Sequence, residues 1–326
     1  MDNSHTPTSV REGRVPGASA MGGGLGGSLR RLILWYRLRR LDRHIIGRHG
    51  YWLFILGVNN SGTTLLSNIL ATHPAIRSLA AEGQLLTDAF PLPHHLGVMR
   101  NWTRRMDAFR WIESDDPRPA LRAKRDWRGH LAGRPREPSA GIVLEKSPPN
   151  TLRARWLQAN FRPSRFIAIV RDPVAVCEGI HRRQGLAVEE AAEHWRVANS
   201  VLLDDLERLD HKMLLRYEDL TGDPVRVLAM IREFLELERG FPDDQFSSVG
   251  AHSAAGVTQG LHNLNAESRR RLSAQDLAVI SRITGDLALR LGYGDGAADV
   301  FGRKNGQDND HDSREQRVGG AARSTD

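Results

Sequence analysis

The stretch from Tyr51 to Pro74, YWLFILGVNNSGTTLLSNILATHP, decides the fold. An apolar run, Leu53 to Val58, reads as a strand buried on both faces. The run breaks at Gly57 and passes through Asn59, Asn60, Ser61, Gly62, Thr63 and Thr64. A helix follows, with Leu65, Leu66, Ile69 and Leu70 on one face. It stops at His73-Pro74, because a residue before proline avoids the helical region. Strand, small-residue turn and helix together aim backbone N–H groups at an anion. The stretch therefore predicts a site for a phosphate or sulfate group. The plainer alternative is a strand–helix connection with capping threonines.

The loop is defined as much by what it lacks. A nucleoside-triphosphatase loop reads G-x-x-x-x-G-K-[ST]. Gly57 and Gly62 keep the glycine spacing, but Thr63 stands where the lysine belongs. A triphosphate-and-magnesium site is poorly supported.

Outward from this loop, composition sets bounds. The chain has 326 residues, enough for one large α/β domain with insertions. No run of about 18 apolar residues is present, so no transmembrane span is expected. The polar N-terminus shows no signal-peptide pattern before residue 30. The single cysteine, Cys177, excludes an internal disulfide and fits a reducing cytoplasm. The net charge of +7 suits anionic ligands. Nucleic acid is not expected as a partner, since no zinc-finger or RNA-binding signature occurs.

Residues 1–28 are rich in Gly, Ser and Pro and read as a disordered tail, as do the polar residues 303–326. Residues 29–47 read as a basic amphipathic helix, with Leu34, Leu38, Leu41 and Ile45 at helical spacing. Such a helix either packs on the domain or makes a peripheral membrane or partner contact. Residues 48–302 alternate strand and helix patterns, the mark of a parallel sheet covered on both faces. The other expected strands are Gly141–Leu144, Arg165–Val170 and Lys212–Arg216. A long helix is expected over Val188–Leu209, and another from the cap Asp223-Pro224 to Leu237. Ser273 and Asp276 predict a capped last helix. Residues 85–140 depart from the pattern, with six prolines and three tryptophans among many arginines. This segment reads as a lid-like insertion over the carboxyl ends of the strands, on the acceptor side, or as a surface excursion that only packs.

Three further motifs carry chemistry. In FIAIVRDPVAVCEGIHRRQG, Phe166 to Gly185, a strand delivers Arg171 at its carboxyl end, where Asp172-Pro173 begins a helix. An arginine there can fork onto a phosphate or pair with a neighbouring loop. In LEKSPPN, Leu144 to Asn150, Lys146 projects from a strand end towards the same cleft. LLRYEDL, Leu214 to Leu220, sets Tyr217 after a strand, with Glu218 and Asp219 placed to hold loops.

In this order the four motifs resemble the sulfotransferase family, nearest in layout to its tyrosylprotein-sulfotransferase-like bacterial members. The resemblance spans roughly Leu53 to Tyr293. It implies a P-loop-like parallel sheet and transfer of a sulfuryl group from 3′-phosphoadenosine-5′-phosphosulfate to a hydroxyl acceptor, with no metal. By the same resemblance Asn60, Ser61, Gly62, Thr63, Thr64 and Leu65 hold the 5′-phosphosulfate. Arg171, Gly179 and Arg183 serve the 3′-phosphate, and Tyr217 contacts the nucleotide. Arg182 points elsewhere. Lys146 stabilises the transferring group, and Glu82 is the candidate base. The family's glutamate stands one residue away in an ungapped alignment, at Ala81. His94, His95 and His181 are lesser candidates. Two departures stand out. Gly179 occupies a position where the family has serine, so its backbone N–H or a water must serve. Asn60 occupies a position where most members carry Lys or Arg. Either Lys146 balances the charge, or the protein is slow or keeps a nucleotide without catalysis. A kinase-like phosphotransferase is the more distant alternative.

Overall fold

One parallel sheet organises the chain, in the strand order β2-β3-β1-β4-β5. The strands are β1 (Tyr51–Leu56), β2 (Ile76–Ser78), β3 (Ile142–Lys146), β4 (Ser164–Val170) and β5 (Lys212–Arg216). The structure, a computed structural model, describes residues 25–131, 141–241 and 262–294. The expected tails fall outside the described residues, apart from positions 25–28, as do residues 132–140, 242–261 and 295–302 of the expected domain. The helices in chain order are α1 (Leu25–Ile46), α2 (Thr63–Leu70), α3 (Met106–Phe109), α4 (Arg118–Leu131), α5 (Ala154–Asn160), α6 (Pro173–Gln184), α7 (Val188–Leu206), α8 (Tyr217–Gly222), α9 (Pro224–Leu235), α10 (Asn265–Arg270) and α11 (Ala274–Arg290).

Strand β1 lies at the centre, between β3 and β4, with Leu53 level with Leu144 and Arg165. All six of its residues are buried, which is why the strand reads as a continuous apolar run. Its side chains alternate between two cores. Trp52, Phe54 and Leu56 face a layer built from α1, α4, α5, α6, α7 and α11. Tyr51, Leu53 and Ile55 face α2 and α9. Each fully buried large apolar side chain contributes about 1.5–3 kcal/mol.

The sheet corrects several expected boundaries. Strand β1 starts two residues early, at Tyr51, because both aromatic residues bury their rings and satisfy their polar tips. Tyr51 Oη donates to Leu235 O and Trp52 Nε1 to Asp42 Oδ1. Edge strand β2 has three residues, too few to show a period. Strand β3 runs on to Lys146, so the lysine is the last strand residue. Helix α7 ends at Leu206 and α9 at Leu235, where Glu236 takes a left-handed conformation at φ 55°. The three cap readings hold. Asp172 Oδ1 accepts from Val174 N, Asp223 Oδ1 accepts from Arg226 N, and Ser273 with Asp276 forms a capping box.

Helix α1 starts before the expected Leu29, and its stripe faces protein. Leu38 and Ile45 are buried and Leu34 and Leu41 pack against the same core. That stripe is therefore not free to meet a membrane. Leu29, Leu32, Ile33 and Tyr36 lie on the exposed side. No helix among the described residues is long and apolar enough to cross a membrane. The insertion also packs more than its arginines suggest. Phe90, Trp111, Trp127 and Trp156 form a ring cluster, and α4 buries Ala120, Ala123, Lys124 and Trp127.

Candidate functional site

A parallel sheet brings the carboxyl ends of its strands to one edge, and all four sequence motifs meet there. The loop after β1 has a backbone that few side chains allow. Gly57 lies at φ 150°, and a Cβ there would sit 2.5 Å from Ile169 O. Asn60 and Gly62 lie at φ 68° and 97°. A Cβ on Gly62 would come within 2.7 Å of the Tyr217 ring. Ser61 is consumed by the loop itself, its Oγ donating to Val58 O at 2.8 Å. Helix α2 then begins with no side chain capping it. The first-turn N–H groups, those of Thr63, Thr64 and Leu65, are left for an outside acceptor, and the helix dipole favours an anion there.

Arg171 follows β4 directly and is nine-tenths buried. Its Nη1 donates to Asn60 O at 3.0 Å and its Nε to Asn265 Oδ1 at 2.9 Å. Its guanidinium lies 4.0 Å from the centre of the Tyr217 ring. Burial pushes the Tyr217 phenol up, and its hydroxyl donates to His262 O. Arg171, Tyr217 and the loop thus form one unit. Glu218 binds the surrounding elements, accepting from Asp172 N, Asn265 Nδ2 and Tyr293 Oη.

Gly179 lies beneath the loop on α6. A Cβ there would stand 3.0 Å from both Cγ and Nδ2 of Asn60. The two departures from the family pattern are therefore neighbours, and the glycine makes room for the asparagine. Arg183 sits one turn beyond Gly179 on the same side of α6, exposed. Arg182 turns away and pairs with Glu178 at 2.6 Å.

Lys146 and Glu82 meet on the other side of the loop. Lys146 Nζ lies 2.8 Å from Glu82 Oε1 and 3.3 Å from Thr64 Oγ1. Their side chains are 13% and 27% exposed, so the pair is open to a ligand without being at the surface. A buried network fixes both residues from behind. Glu145, next to Lys146, points to the opposite face and accepts from Gly83 N, Ser147 Oγ and Asn150 Nδ2. Gln84 N donates to Ser147 Oγ at 3.2 Å. The residues flanking Glu82 and Lys146 are thus tied together. Burial pushes the Glu145 carboxyl up to about 7. Arg153, fully buried over the Phe90 ring at 4.2 Å, is pushed down to about 10 by the same burial.

His94, His95 and His181 are not brought into this group. All three are exposed, His94 and His95 meet edge to face, and His181 Nδ1 contacts Leu186 O. Among the described residues no group of three or more His, Cys, Asp or Glu is placed to hold a metal. Sequence reasoning missed the insertion's grip on the loop. Trp102 Nε1 donates to Asn59 Oδ1 at 2.9 Å, and Arg100 Nη1 donates to Asn60 Oδ1 at 3.0 Å. The adjacent asparagines were a hint, since a buried amide needs partners.

Arg171→Ala is expected to weaken binding of adenosine 3′,5′-bisphosphate at least about tenfold by calorimetry, because a charged hydrogen bond contributes roughly 1.5–3 kcal/mol. Arg183→Ala is expected to act likewise but more weakly, and Arg182→Ala to change nothing. Unchanged affinity with a large fall in melting temperature would make Arg171 a brace for the loop and no more.

Among solved structures the chain is similar to the sulfotransferase domain of the Synechococcus PCC 7002 olefin synthase, at 21% identity and TM-score 0.49, covering 74% of this chain and 96% of that one. It is also similar to a sulfotransferase from Mycobacterium avium, at 16% identity and TM-score 0.42, covering 83% and 87%. These likenesses are too distant to carry an argument by themselves. No curated protein matches the sequence. A model of the sulfotransferase family matches residues 53–243, which is more than half of the chain and takes in β2 to β5 and most of β1, and so the chain belongs to the sulfotransferase family.

Proposed function

We propose that this protein moves a sulfuryl group from 3′-phosphoadenosine-5′-phosphosulfate to a hydroxyl acceptor by in-line displacement. The observation that carries the reading is Lys146, whose Nζ reaches both the anion loop at Thr64 and the carboxylate of Glu82. The residues present suit that donor. The uncapped start of α2 offers N–H groups to its 5′-phosphosulfate. Arg171 and Arg183 suit the 3′-phosphate and Tyr217 walls the nucleotide side, whereas the N–H of Gly179, expected to serve the same phosphate, lies inside α6 beneath the Asn60 amide. When bound, the donor supplies the sulfuryl group and departs as adenosine 3′,5′-bisphosphate.

The protein's part is positioning and charge. Glu82 takes the acceptor's proton as the new O–S bond forms and the bond from sulfur to the bridging oxygen breaks. Before transfer, the Glu82 carboxylate offsets the Lys146 charge at 2.8 Å. Protonation of Glu82 removes that offset. The full Lys146 charge then falls on the loop as negative charge develops on the bridging oxygen. An interaction that strengthens during the step lowers the barrier, whereas one present throughout does not.

A nucleotide-binding protein without catalysis is the second reading, and Asn60 favours it, since the loop from Gly57 to Leu65 contains no cationic side chain. Formation of a sulfated product with any hydroxyl acceptor separates the two. For ligand choice, calorimetry without magnesium is expected to show adenosine 3′,5′-bisphosphate binding more tightly than ATP does with magnesium. The reverse order would overturn the donor assignment and favour a phosphotransferase.

A further inference from the structure

The insertion supplies something the loop itself lacks. Arg100 sits in a tight turn, at φ 59°, a conformation that only a firmly held residue other than glycine adopts. The turn is held by Asn101 N donating to Val98 O at 2.9 Å and by Arg104 N donating to Asn101 O at 3.2 Å. Trp102, 1% exposed, anchors it to Asn59. The guanidinium is thereby delivered to Asn60, at the head of the anion loop, with Nη1 bonded to Oδ1.

Three observations mark this arginine as more than a brace. It is half-buried, yet among the described residues it forms no salt bridge, and its buried Nε has no hydrogen-bond partner. The charges of Arg183 and Glu82 both reach it, so it belongs to the same charged neighbourhood as the candidate site. The geometry that receives it is specific: Asn60 is held in the left-handed region, and Gly179 leaves the space its amide occupies. A partly desolvated cation without a counter-ion is unfavourable until an anion arrives. The open first turn of α2 is where that anion would sit.

We infer that Arg100 is a catalytic residue that brings to the transferring group, from the insertion, the positive charge missing from the loop. This rests on the sulfuryl-transfer reading above. In the step, Arg100 donates to an oxygen of the sulfuryl group or to the bridging oxygen while the bond from that oxygen to sulfur breaks. It neither gains nor loses a proton, and the acceptor's proton goes to Glu82. Arg100 and Lys146 would then approach the same group from opposite sides of the loop.

The test measures adenosine 3′,5′-bisphosphate affinity by calorimetry and release of that product from the phosphosulfate donor, with water or a simple phenol as acceptor. Arg100→Ala is expected to leave bisphosphate affinity within about twofold and to slow release at least about tenfold, the lower end for losing a charged hydrogen bond. Arg100→Gln keeps a donor for Asn60 without the charge, and is expected to be as slow as the alanine variant. Asn60→Lys in the Arg100→Ala background is expected to regain part of the rate, because the charge returns from the loop side. The proposal is overturned if Arg100→Gln releases product at the parent rate, or if Arg100→Ala loses bisphosphate affinity and rate equally. The failures remain distinguishable. A parent protein that binds the bisphosphate but never releases it from the donor defeats the catalytic reading as a whole. A parent that turns over normally beside unaffected Arg100 variants defeats only the role of this arginine.

Discussion

Lys146→Ala is expected to lower the rate of sulfuryl transfer by about 10²–10³, the loss seen when one preorganised donor to a developing charge is removed. Affinity for adenosine 3′,5′-bisphosphate should change far less, because the lysine acts on the leaving charge more than on the bound nucleotide. In the resting protein Lys146 spends its charge on Glu82, so its removal leaves that carboxylate with Gln84 Nε2 as the remaining partner, at 2.9 Å. Glu82→Gln should also be slow, since it cannot accept the proton. The double variant should lose much less than the product of the two single losses, since residues that act as a unit are not additive. Rapid-quench measurement of product formation, beside calorimetry, decides the matter. Equal losses of binding and rate in Lys146→Ala would make the lysine an anchor for the ground state.

The second large effect concerns stability. Asp42→Ala should destabilise the fold by about 3–5 kcal/mol, the range for removing one partner of a buried ion pair. Lys124 on α4 is fully buried, with Nζ 2.6 Å from Asp42 Oδ1 on α1 and 2.6 Å from Asn160 O. Burial pushes its ammonium down to about 8, and pushes the Asp42 carboxyl up. Trp52 Nε1 also donates to Asp42, so a single carboxylate joins α1, α4 and the central strand. Without it, a buried ammonium loses its counter-ion, keeping the neutral acceptor Asn160 O, and an indole N–H loses its acceptor. Urea unfolding should show a lower midpoint with an unchanged slope. Asp42→Leu combined with Lys124→Met should recover part of the loss, because it removes the buried ammonium with its counter-ion, although Arg39 at 3.2 Å and the Trp52 indole also lose Asp42 as a partner. If the double variant is no better than Asp42→Ala, the electrostatic account fails.

What could be read from the sequence follows from how local each signal is. The strand, loop and helix from Tyr51 to Leu70 are fixed by a continuous apolar run and by glycines, both visible in one dimension. The caps at Asp172, Asp223 and Ser273 act over three residues and were equally legible. Lys146 was legible as a residue at a strand end facing the cleft, whereas Glu82 was named only by the family resemblance, and nothing in the sequence announced that the two would meet. Strand β2 was invisible because three residues cannot display alternation. Helix α4 hid because its buried face includes Lys124, whose charge is answered by Asp42 on a distant helix. Arg100 was the least legible. Nothing near it in the chain differs from a surface arginine, and its partner Asn60 lies forty residues away. Long-range pairing of this kind leaves no periodicity to read.

Gly179 and Asn60 have a consequence for how such a site can change over generations. Serine at 179 would crowd the Asn60 amide, whose Cγ and Nδ2 would stand 3.0 Å from the new Cβ. Serine at 179 therefore meets a loop shaped around the present glycine, whereas a change at Asn60 meets no side chain on Gly179. The order of two changes matters: exchanging Asn60 first would clear the way for a side chain at 179, and exchanging Gly179 first would not. The insertion weighs on the first change, because Arg100 grips the asparagine from the far side. The tolerance of each of the three positions thus depends on which residues already occupy the other two.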